Sequence, residues 1–267
     1  MQPRAIILRA PQRAAATVAA LTAAGISSSC CQLIETVWPE DLTGLDTHVA
    51  RLREGRYDWT VFTSVTTVHA VAERLGTGAW PQGTRIAAVG TKTAEQAHAA
   101  FGRQAHFVPQ LQSAAGMVAE WQLAPRSRVF YPHGDLASPT LAEGLGRRGM
   151  RLDEVLAYRT VAAGSGGEPV ARSVLPPGIR VLDPGLLAGE LPETDLLVFA
   201  APSIVRRFVQ LAGTGLPART RTLAIGQPTA RALAAAGLPV HDTAADPTPA
   251  GLAASARKIL KTIHPNR

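Results

Sequence analysis

Six segments of small polar residues stand where short apolar runs give way to helical patterns, and they could bind an anion. The first N–H groups of a helix have no partner within the helix, and its dipole favours a carboxylate or phosphate by ~0.3–1 kcal/mol. The segments are Thr63-Ser64, Gly90-Thr91-Lys92-Thr93, Ser113-Ala114-Ala115-Gly116, Pro132-His133-Gly134-Asp135, Pro202-Ser203 and Gly226-Gln227-Pro228-Thr229. Any single Ser or Thr among them is more simply a helix cap, but matched segments in both halves favour a shared binding cleft.

Two further residue types, glycine and tyrosine, have specific interpretations. Gly90 and Gly226 are interpreted as allowing a close backbone approach in a tight turn. Tyr158, in the run Ala157-Tyr158-Arg159-Thr160, carries a phenol that could donate a proton to a leaving oxygen. The alternative for Tyr158 is a buried strand residue with a satisfied hydroxyl, and the residues alone favour that alternative.

Metal, nucleotide and disulfide chemistry have little support in the sequence. His133 and Asp135 could be a metal pair, but no third ligand follows at a recognised spacing. Neither a Gly-x-Gly-x-x-Gly fingerprint nor a Walker loop is present. Cys30 and Cys31 are adjacent, which disfavours a disulfide between them, so they are interpreted as small core residues. We therefore expect no cofactor and no metal.

The elements that must position the polar segments alternate between strand and helix. Such alternation predicts parallel sheets of βαβ units, in which ligands bind beyond the carboxyl ends of the strands. The predicted pairs are Ala5–Leu8 with Ala14–Ala24, Trp59–Phe62 with Val65–Leu75, Ile86–Val89 with Thr93–Phe101 and Arg128–Tyr131 with Ser138–Arg148, and strands Leu196–Phe199 and Thr222–Ile225 repeat the scheme. Gly25, Gly102, Gly149 and Gly237 follow helices, where a left-handed C-cap is expected.

The chain contains an internal repeat. The run from Tyr57 to Ser64 returns as the run from Thr194 to Ala201, and Phe62 and Phe199 are 137 residues apart. The run from Ile86 to Ala94 returns as the run from Leu223 to Ala230, and a third pair matches the run starting at Ala5 with that starting at Val129. The repeat predicts two similar α/β domains, each a parallel sheet flanked by helices in a flavodoxin-like or Rossmann-like arrangement.

Composition favours a small anionic partner over a nucleic acid. The 267 residues include 27 Lys plus Arg against 20 Asp plus Glu, a formal net charge of +7. The basic residues are scattered and aromatic residues make up only 5% of the chain, so no base-stacking platform or arginine-rich arm is visible. No apolar run approaches the ~20 residues of a membrane span, and no signal peptide is visible, so we expect a cytoplasmic protein without a membrane partner.

Taken in order, several motifs resemble those of the uroporphyrinogen-III synthase family over nearly the whole chain. The motifs are Tyr57-Asp58-Trp59-Thr60-Val61-Phe62-Thr63-Ser64, Ala88-Val89-Gly90-Thr91-Lys92-Thr93-Ala94, Tyr131-Pro132-His133-Gly134-Asp135, Ala157-Tyr158-Arg159-Thr160 and Ala224-Ile225-Gly226-Gln227-Pro228-Thr229-Ala230-Arg231. The resemblance implies a discontinuous domain of residues 1–33 plus 165–267 and a second domain of residues 38–156. The linkers, residues 34–37 and 157–164, would form a two-stranded ladder.

The resemblance also implies an activity. Such an enzyme takes hydroxymethylbilane, removes its hydroxyl to give an azafulvene, inverts the terminal pyrrole through a spiro intermediate and closes uroporphyrinogen III. The acetate and propionate groups of this linear tetrapyrrole match the helix-terminus donors, and positioning is the dominant contribution expected of the protein. Hand-over from hydroxymethylbilane synthase and a monomeric state are expected.

The resemblance assigns roles to individual residues. Tyr158 is the catalytic candidate that assists departure of the hydroxyl. The substrate-binding candidates are Arg9, Thr63, Ser64, Val65, Gly90, Thr91, Lys92, Thr93, Ser113, His133, Gly134, Pro202, Ser203, Gly226, Gln227 and Thr229. Ala201 stands where relatives often carry serine, and Pro228 where they often carry threonine. These departures cost little if binding relies on backbone amides.

Two other functions fit the same fold. One is a non-catalytic sensor that closes on a tetrapyrrole or another polyanion, and the other is a hinged two-lobed ligand-binding protein. The lack of a DNA-reading segment disfavours a self-contained transcription factor, and the lack of a secretion signal disfavours a periplasmic binding protein. Catalytic turnover separates the enzyme from both.

Overall fold

The computed structural model describes residues 2–171 and 174–263, with only the backbone described for residues 262 and 263. Strands and helices alternate through this part of the chain. The strands are β1 (Arg4–Leu8), β2 (Ser27–Cys30), β3 (Ile34–Val37), β4 (Trp59–Phe62), β5 (Arg85–Ala88), β6 (Arg128–Gly134), β7 (Arg151–Ala162), β8 (Leu196–Phe199), β9 (Arg221–Ala224) and β10 (Asp242–Thr243). The α-helices are α1 (Pro11–Ala23), α2 (Thr43–Arg53), α3 (Val65–Leu75), α4 (Thr91–Phe101), α5 (Ala114–Glu120), α6 (Thr140–Arg147), α7 (Leu187–Glu190), α8 (Pro202–Ala212), α9 (Gln227–Ala235) and α10 (Pro249–Ile263).

The chain divides into two units. The first unit combines Met1–Glu35, Ala162–Gly166 and Ser173–Arg267, and the second combines Thr36–Val161 and Gly167–Arg172. The first unit is discontinuous because β1, near the start of the chain, pairs in parallel with β8, with Ile6 opposite Leu197.

The sheet of the first unit has the strand order β10-β9-β8-β1-β2. Each pair of neighbouring strands in this sheet is parallel. Numbered along the unit, this order is 2-1-3-4-5, which is the flavodoxin-like arrangement. The predicted fold class is therefore confirmed for this unit.

The sheet of the second unit has the order β3-β7-β6-β4-β5. Strand β4 is parallel to β5 and to β6, and β6 is parallel to β7. The extended segments predicted to form an inter-domain ladder correspond to β3 and β7, which are neighbours within this five-stranded sheet.

The predicted repeat falls on matching strands of the two sheets. Strands β9-β8-β1-β2 of the first unit correspond, in this order, to β5-β4-β6-β7 of the second. In the first unit β1 and β2 come earlier in the chain than β8 and β9, whereas in the second unit β4 and β5 come earlier than β6 and β7. A histidine occupies an equivalent position in each unit. The N–H of Ile86 donates to Nδ1 of His106 at 3.2 Å, and the N–H of Thr222 donates to Nδ1 of His241 at 3.1 Å. Both histidines therefore have structural roles beside the matching strands β5 and β9.

Both faces of each sheet are buried, which explains the unbroken apolar runs in the strands. In β1, Ile6 and Leu8 join one apolar cluster, and Ala5 and Ile7 join the cluster on the opposite face. The second unit repeats the scheme, with Phe62 in one cluster and Val61 in the other. With both faces covered, the strand ends and the loops after them are the places where polar residues can act.

Several predictions from the sequence are confirmed at the level of single elements. Strands Trp59–Phe62 and Leu196–Phe199 and helix Val65–Leu75 have the predicted bounds. The four predicted C-cap glycines all have a left-handed backbone, with φ of 77° at Gly25, 65° at Gly102, 73° at Gly149 and 74° at Gly237. Cys30 and Cys31 are fully buried free thiols, and burial raises the pKa of Cys30 to about 11 and that of Cys31 to about 12.

Other predictions need correction. Helix α1 begins at Pro11 rather than Ala14, because a proline is well accommodated in the first turn of a helix. The passage from Leu175 to Pro192 is rich in proline and glycine, which is typical of a linker or a tolerated insertion. It nevertheless contains helical turns, which run from Pro184 to Glu193, and Leu187 and Leu191 of these turns are buried in the first-unit core. Within the described ranges, no helix is both long enough and apolar enough to cross a membrane.

Candidate active site

The phenol of Tyr158 lies on β7 beside the end of β6. The pairing of these strands is irregular there, since His133 lies opposite Leu156 and Gly134 opposite Tyr158. Asp135 fixes the backbone from the carbonyl group of Tyr158 to the N–H of Thr160. Its N–H donates to the carbonyl oxygen of Tyr158 at 3.2 Å, and its Oδ1 accepts from the N–H of Thr160 at 2.8 Å. Asp135 therefore holds the strand segment that carries the phenol.

Gly134 provides the space in which the phenol lies. A β-carbon at this position would stand 2.6 Å from Cε2 and 2.7 Å from the hydroxyl oxygen of Tyr158, well inside van der Waals contact. The carbonyl oxygen of Gly134 contacts Nδ1 of His133 at 3.0 Å. The absence of a side chain at Gly134 is thus what allows the half-buried phenol to lie across the end of β6.

Ser64 connects the phenol to the first turn of α3. Its Oγ accepts from the N–H of Thr67 at 3.1 Å, so Ser64 is the N-cap of that helix. The same Oγ lies 3.4 Å from the hydroxyl oxygen of Tyr158, as a hydrogen-bond donor. Ser64 is therefore both a cap and a direct neighbour of the catalytic candidate.

Thr63, the residue before Ser64, contacts a second phenol. Tyr131 is almost completely buried, and burial raises the pKa of its hydroxyl, while a hydrogen bond from Thr63 opposes this effect. Electrostatic interaction with Glu154 and Tyr158 also raises the pKa of Tyr131. Tyr131 therefore stays protonated at neutral pH within the core.

The first residue of α4, Thr91, is hydrogen-bonded to the side chain of Gln112 from a neighbouring loop. Oε1 of Gln112 accepts from the N–H of Thr91 at 3.1 Å, and Nε2 of Gln112 donates to Oγ1 of Thr91 at 2.9 Å. A β-carbon at Gly90 would stand 2.5 Å from this Oε1, so the missing side chain at Gly90 makes room for Gln112. The predicted close backbone approach at Gly90 is wrong, because the neighbour is a side chain.

The remaining second-unit candidates occupy the first turns of three helices. Val65 is the first residue of α3, Lys92 is exposed on α4, and Thr93 of α4 is only 6% exposed. Ser113 caps α5 by accepting from the N–H of Gly116 at 3.0 Å. Its hydroxyl has a structural role, as the capping alternative anticipated.

The corresponding residues of the first unit lie side by side at the carboxyl end of its sheet. Leu8 pairs with Phe199, and Phe199 pairs with Ala224, so the loops that follow these strands are neighbours. We call the residues after these strands, Arg9, Ala201 to Ser203 and Gly226 to Thr229, the first-unit edge. We call Thr63 to Val65, Gly90 to Thr93, His133 to Asp135 and Tyr158 the second-unit edge.

No side chain caps a helix at the first-unit edge. Ala201 and Gly226 are the N-cap residues of α8 and α9, and neither helix has a side-chain cap hydrogen bond. Pro202 and Pro228 lie in the first turns and contribute no N–H. Nothing lies within 4 Å of where a β-carbon of Gly226 would stand, so the predicted close approach is wrong here too. Thr229 of α9 is 2% exposed.

Arg9 is the charged group of the first-unit edge. Burial lowers the pKa of its guanidinium, and the positive charge of Arg13 lowers it further. Among residues 2–171 and 174–263, no carboxylate forms an ion pair with Arg9. A guanidinium remains charged at neutral pH, and a partly buried charge without a counter-ion is unfavourable. An anionic ligand would supply the counter-ion that Arg9 lacks among the described carboxylates.

Sequence reasoning found most of these residues but missed three that organise them. Within the second unit, the structure brings together Ser64, Gly134 and Tyr158, which the resemblance also indicated. Sequence reasoning missed that Asp135 holds the backbone after Tyr158 and that the buried Tyr131 interacts with Thr63. It also missed the hydrogen bonds from Gln112 to Thr91 at the start of α4. Asp135 and Tyr131 stand inside a quoted motif, whereas nothing about Gln112 distinguishes it from an ordinary loop residue.

Comparison with known proteins gives a consistent result. Residues 15–254, most of the chain, match the model of the family described as uroporphyrinogen-III synthase HemD. The fold is similar to a uroporphyrinogen III synthase variant from Thermus thermophilus, with a TM-score of 0.64 and 20% identity over 97% of this chain and 99% of that one. It is also similar to uroporphyrinogen-III synthetase from Helicobacter pylori, with a TM-score of 0.57 and 15% identity over 97% of this chain and 100% of that one.

Proposed function

The chain belongs to the uroporphyrinogen-III synthase family of tetrapyrrole biosynthesis, and we propose that Tyr158 is the general acid of its ring-closing reaction. The enzyme is a cyclising hydro-lyase, which converts hydroxymethylbilane to uroporphyrinogen III with loss of water. The observation that carries the proposal is the setting of Tyr158. Its half-buried phenol lies in the space left by Gly134, with its hydroxyl oxygen 3.4 Å from that of Ser64.

The first step requires a proton at the leaving oxygen. Tyr158 donates its proton to the hydroxyl of the substrate, the C–O bond breaks, and water departs with the bonding electron pair. Electrons from the pyrrole nitrogen stabilise the resulting cation as a protonated azafulvene. A positioned acid contributes typically about 10²- to 10⁴-fold to such a step. When the ring closes and the pyrrole regains its aromatic character, it releases a proton, which restores the phenol.

The acidic side chains of the substrate supply the binding energy in this proposal. Each pyrrole carries an acetate and a propionate, and a charged hydrogen bond from an arginine to a carboxylate is roughly twice as strong as a neutral one. Arg9 fits this role because it is partly buried and forms no ion pair with the carboxylates of the described residues. The N–H groups of Ser203 and Gln227, in the first turns of α8 and α9, are further donors.

Ala201 and Pro228 do not weaken the proposal. An alanine at the N-cap of α8 leaves the first-turn amides uncapped by a side chain, and those amides are groups that a carboxylate can use. The proline removes one donor from α9, and the N–H of Gln227 in the same turn remains. Binding at this edge therefore depends on Arg9 and backbone groups.

The test is a coupled assay in which the purified protein receives freshly generated hydroxymethylbilane and the oxidised uroporphyrin isomers are separated by chromatography. We expect isomer III in excess over isomer I, which forms spontaneously. The Tyr158→Phe variant should form isomer III about 10²-fold more slowly. Its KM should be unchanged, because phenylalanine retains the shape of the ring.

Two outcomes would contradict this account in different ways. A correctly folded Tyr158→Phe variant with full turnover would remove Tyr158 from the mechanism. Only isomer I from the folded wild-type protein would favour the non-catalytic, tetrapyrrole-binding sensor. Hand-over of substrate from hydroxymethylbilane synthase, a monomeric state and a cytoplasmic location belong to the same proposal and need their own measurements.

A further inference from the structure

The hydroxyl of Ser64 has more neighbours than a helix cap requires. Its oxygen accepts from the N–H of Thr67 at 3.1 Å, while Oγ1 of Thr67 donates to the carbonyl oxygen of Ser64 at 2.7 Å. The hydrogen of the Ser64 hydroxyl therefore has two acceptors within reach. These are Oγ1 of Thr67 and the hydroxyl oxygen of Tyr158, each at 3.4 Å.

The fold does not need this hydroxyl to start the helix. Ala201 occupies the matching position of the repeat, and its backbone has φ −165° and ψ 156°, against φ −154° and ψ 155° at Ser64. Helix α8 begins directly after Ala201, as α3 begins directly after Ser64, although alanine offers no cap. The same strand-to-helix turn therefore forms with and without the hydroxyl, which leaves the Ser64 hydroxyl available for another role.

We propose that Ser64 is a positioning residue for Tyr158, an inference that rests on the proposed function of the phenol as general acid. The serine, held by the first turn of α3, donates its hydrogen to the oxygen of Tyr158. A phenol oxygen that accepts this bond directs its own hydrogen elsewhere, toward the leaving hydroxyl of the substrate. Catalytic hydrogen bonds are often long in the free enzyme and shorten when substrate is bound, which fits the 3.4 Å separation.

The same bond assists the transfer as well as directing it. When Tyr158 gives its proton to the departing hydroxyl, its oxygen becomes a phenolate, and water leaves with the electrons of the broken C–O bond. Ser64 then donates to a full negative charge, and charge-assisted bonds are stronger than neutral ones. The positive end of the α3 dipole lies behind Ser64 and favours the phenolate further. Both effects are larger after proton transfer than before it, so they increase kcat.

The test compares Ser64→Ala with a control that loses a cap of matched geometry. Thr248 is such a cap, because its Oγ1 accepts from the N–H of Gly251 at 3.2 Å at the start of α10. The Ser64→Ala variant should form isomer III about tenfold more slowly at saturating substrate, with unchanged KM. The alkaline limb of its kcat profile should move to higher pH, because the phenolate has lost a donor. The Thr248→Ala variant should lose similar stability and change neither quantity.

Two further variants separate a positioning role from a structural one. Ser64→Thr keeps a hydroxyl at a compatible cap position and should restore most of the rate and the wild-type pH profile. In a Tyr158→Phe background, Ser64→Ala should have no further effect on kcat, because its target is gone. If Ser64→Ala changes kcat and the pH profile no more than Thr248→Ala does, the Ser64 inference is overturned. If Tyr158→Phe itself is fully active, the proposed function fails first.

Discussion

The two edges of this molecule follow the same strand order but end differently. At the second-unit edge, Ser64 caps α3 and Gln112 closes the start of α4, so the helix starts are satisfied from within the protein. At the first-unit edge, α8 and α9 have no side-chain cap, and Arg9 has no ion-pair partner among the carboxylates of the described residues.

The difference suggests that the two units of a duplicated fold can take different roles in one reaction. Satisfied helix starts suit the edge that carries Tyr158, the proposed acid. Uncapped helix starts and the charge of Arg9 suit the edge that is proposed to bind carboxylates. The following substitutions test whether the edges are specialised in this way.

The largest effect should come from adding one carbon to the second-unit edge. A β-carbon at residue 134 would overlap the phenol of Tyr158, standing 2.7 Å from its hydroxyl oxygen, so Gly134→Ala must displace the acid. We expect kcat to fall by about 10²-fold, as in Tyr158→Phe, with a small change in KM. The control is Gly146→Ala in α6, where nothing lies within 4 Å of the added carbon. A fully active Gly134→Ala enzyme would show that the phenol need not occupy this position.

A smaller effect, of a different kind, should come from the first-unit edge. Arg9→Gln removes the partly buried charge, and loss of one charge-assisted hydrogen bond should raise KM about tenfold or more. The value of kcat should change little, because this contact is made equally before and during the reaction. The protein should be as stable as the wild type or slightly more so, since a partly buried charge without a carboxylate partner is removed.

The control for Arg9→Gln is Arg13→Gln, which removes the same charge from an exposed neighbouring position. Its effect on KM should be under about twofold, because exposed charges are screened by solvent and salt. Equal effects of the two substitutions would mean that net charge, rather than a specific contact, draws in the substrate. Steady-state kinetics with the isomer assay and urea unfolding of each variant supply the measurements.

The smallest effect tests whether the missing side-chain cap of α8 serves substrate binding. Ala201→Ser gives α8 the cap that Ser64 gives α3, and a new N-cap stabilises by about 0.5–1 kcal/mol. Ser64→Ala should lose a similar amount, so urea unfolding of the two variants should shift in opposite directions. If the serine hydroxyl occupies first-turn amides that bind carboxylate, Ala201→Ser should also raise KM. A stabilised variant with unchanged KM would mean that the start of α8 does not contact the substrate.

The repeat in the sequence predicted two similar α/β domains because the repeated strands are apolar runs, which are buried on both faces. Runs such as Trp59–Phe62 and Leu196–Phe199 could be placed to the residue. The site was predictable only in part. Ser64 and Tyr158 were singled out from the residues and given roles by the resemblance, but their contact joins residues far apart in the chain, beside the irregular pairing at Gly134. The bond from Gln112 to Thr91 was invisible for the same reason, since residue type alone does not show which loop returns to a helix start.

The interleaved connectivity has a consequence for synthesis on the ribosome. Most of the second unit is one continuous stretch, so it can fold as soon as β7 has emerged, whereas the first unit must wait for β8 to β10. The backbone of Arg4 binds Asp195 across 191 positions of the chain, a closure that is entropically costly for an unfolded loop. A folded second unit shortens that loop, because its entry and exit strands, β3 and β7, are neighbours, and it lowers the closure cost by roughly 1 kcal/mol. Folding of the inserted unit thus makes closure of the discontinuous one easier.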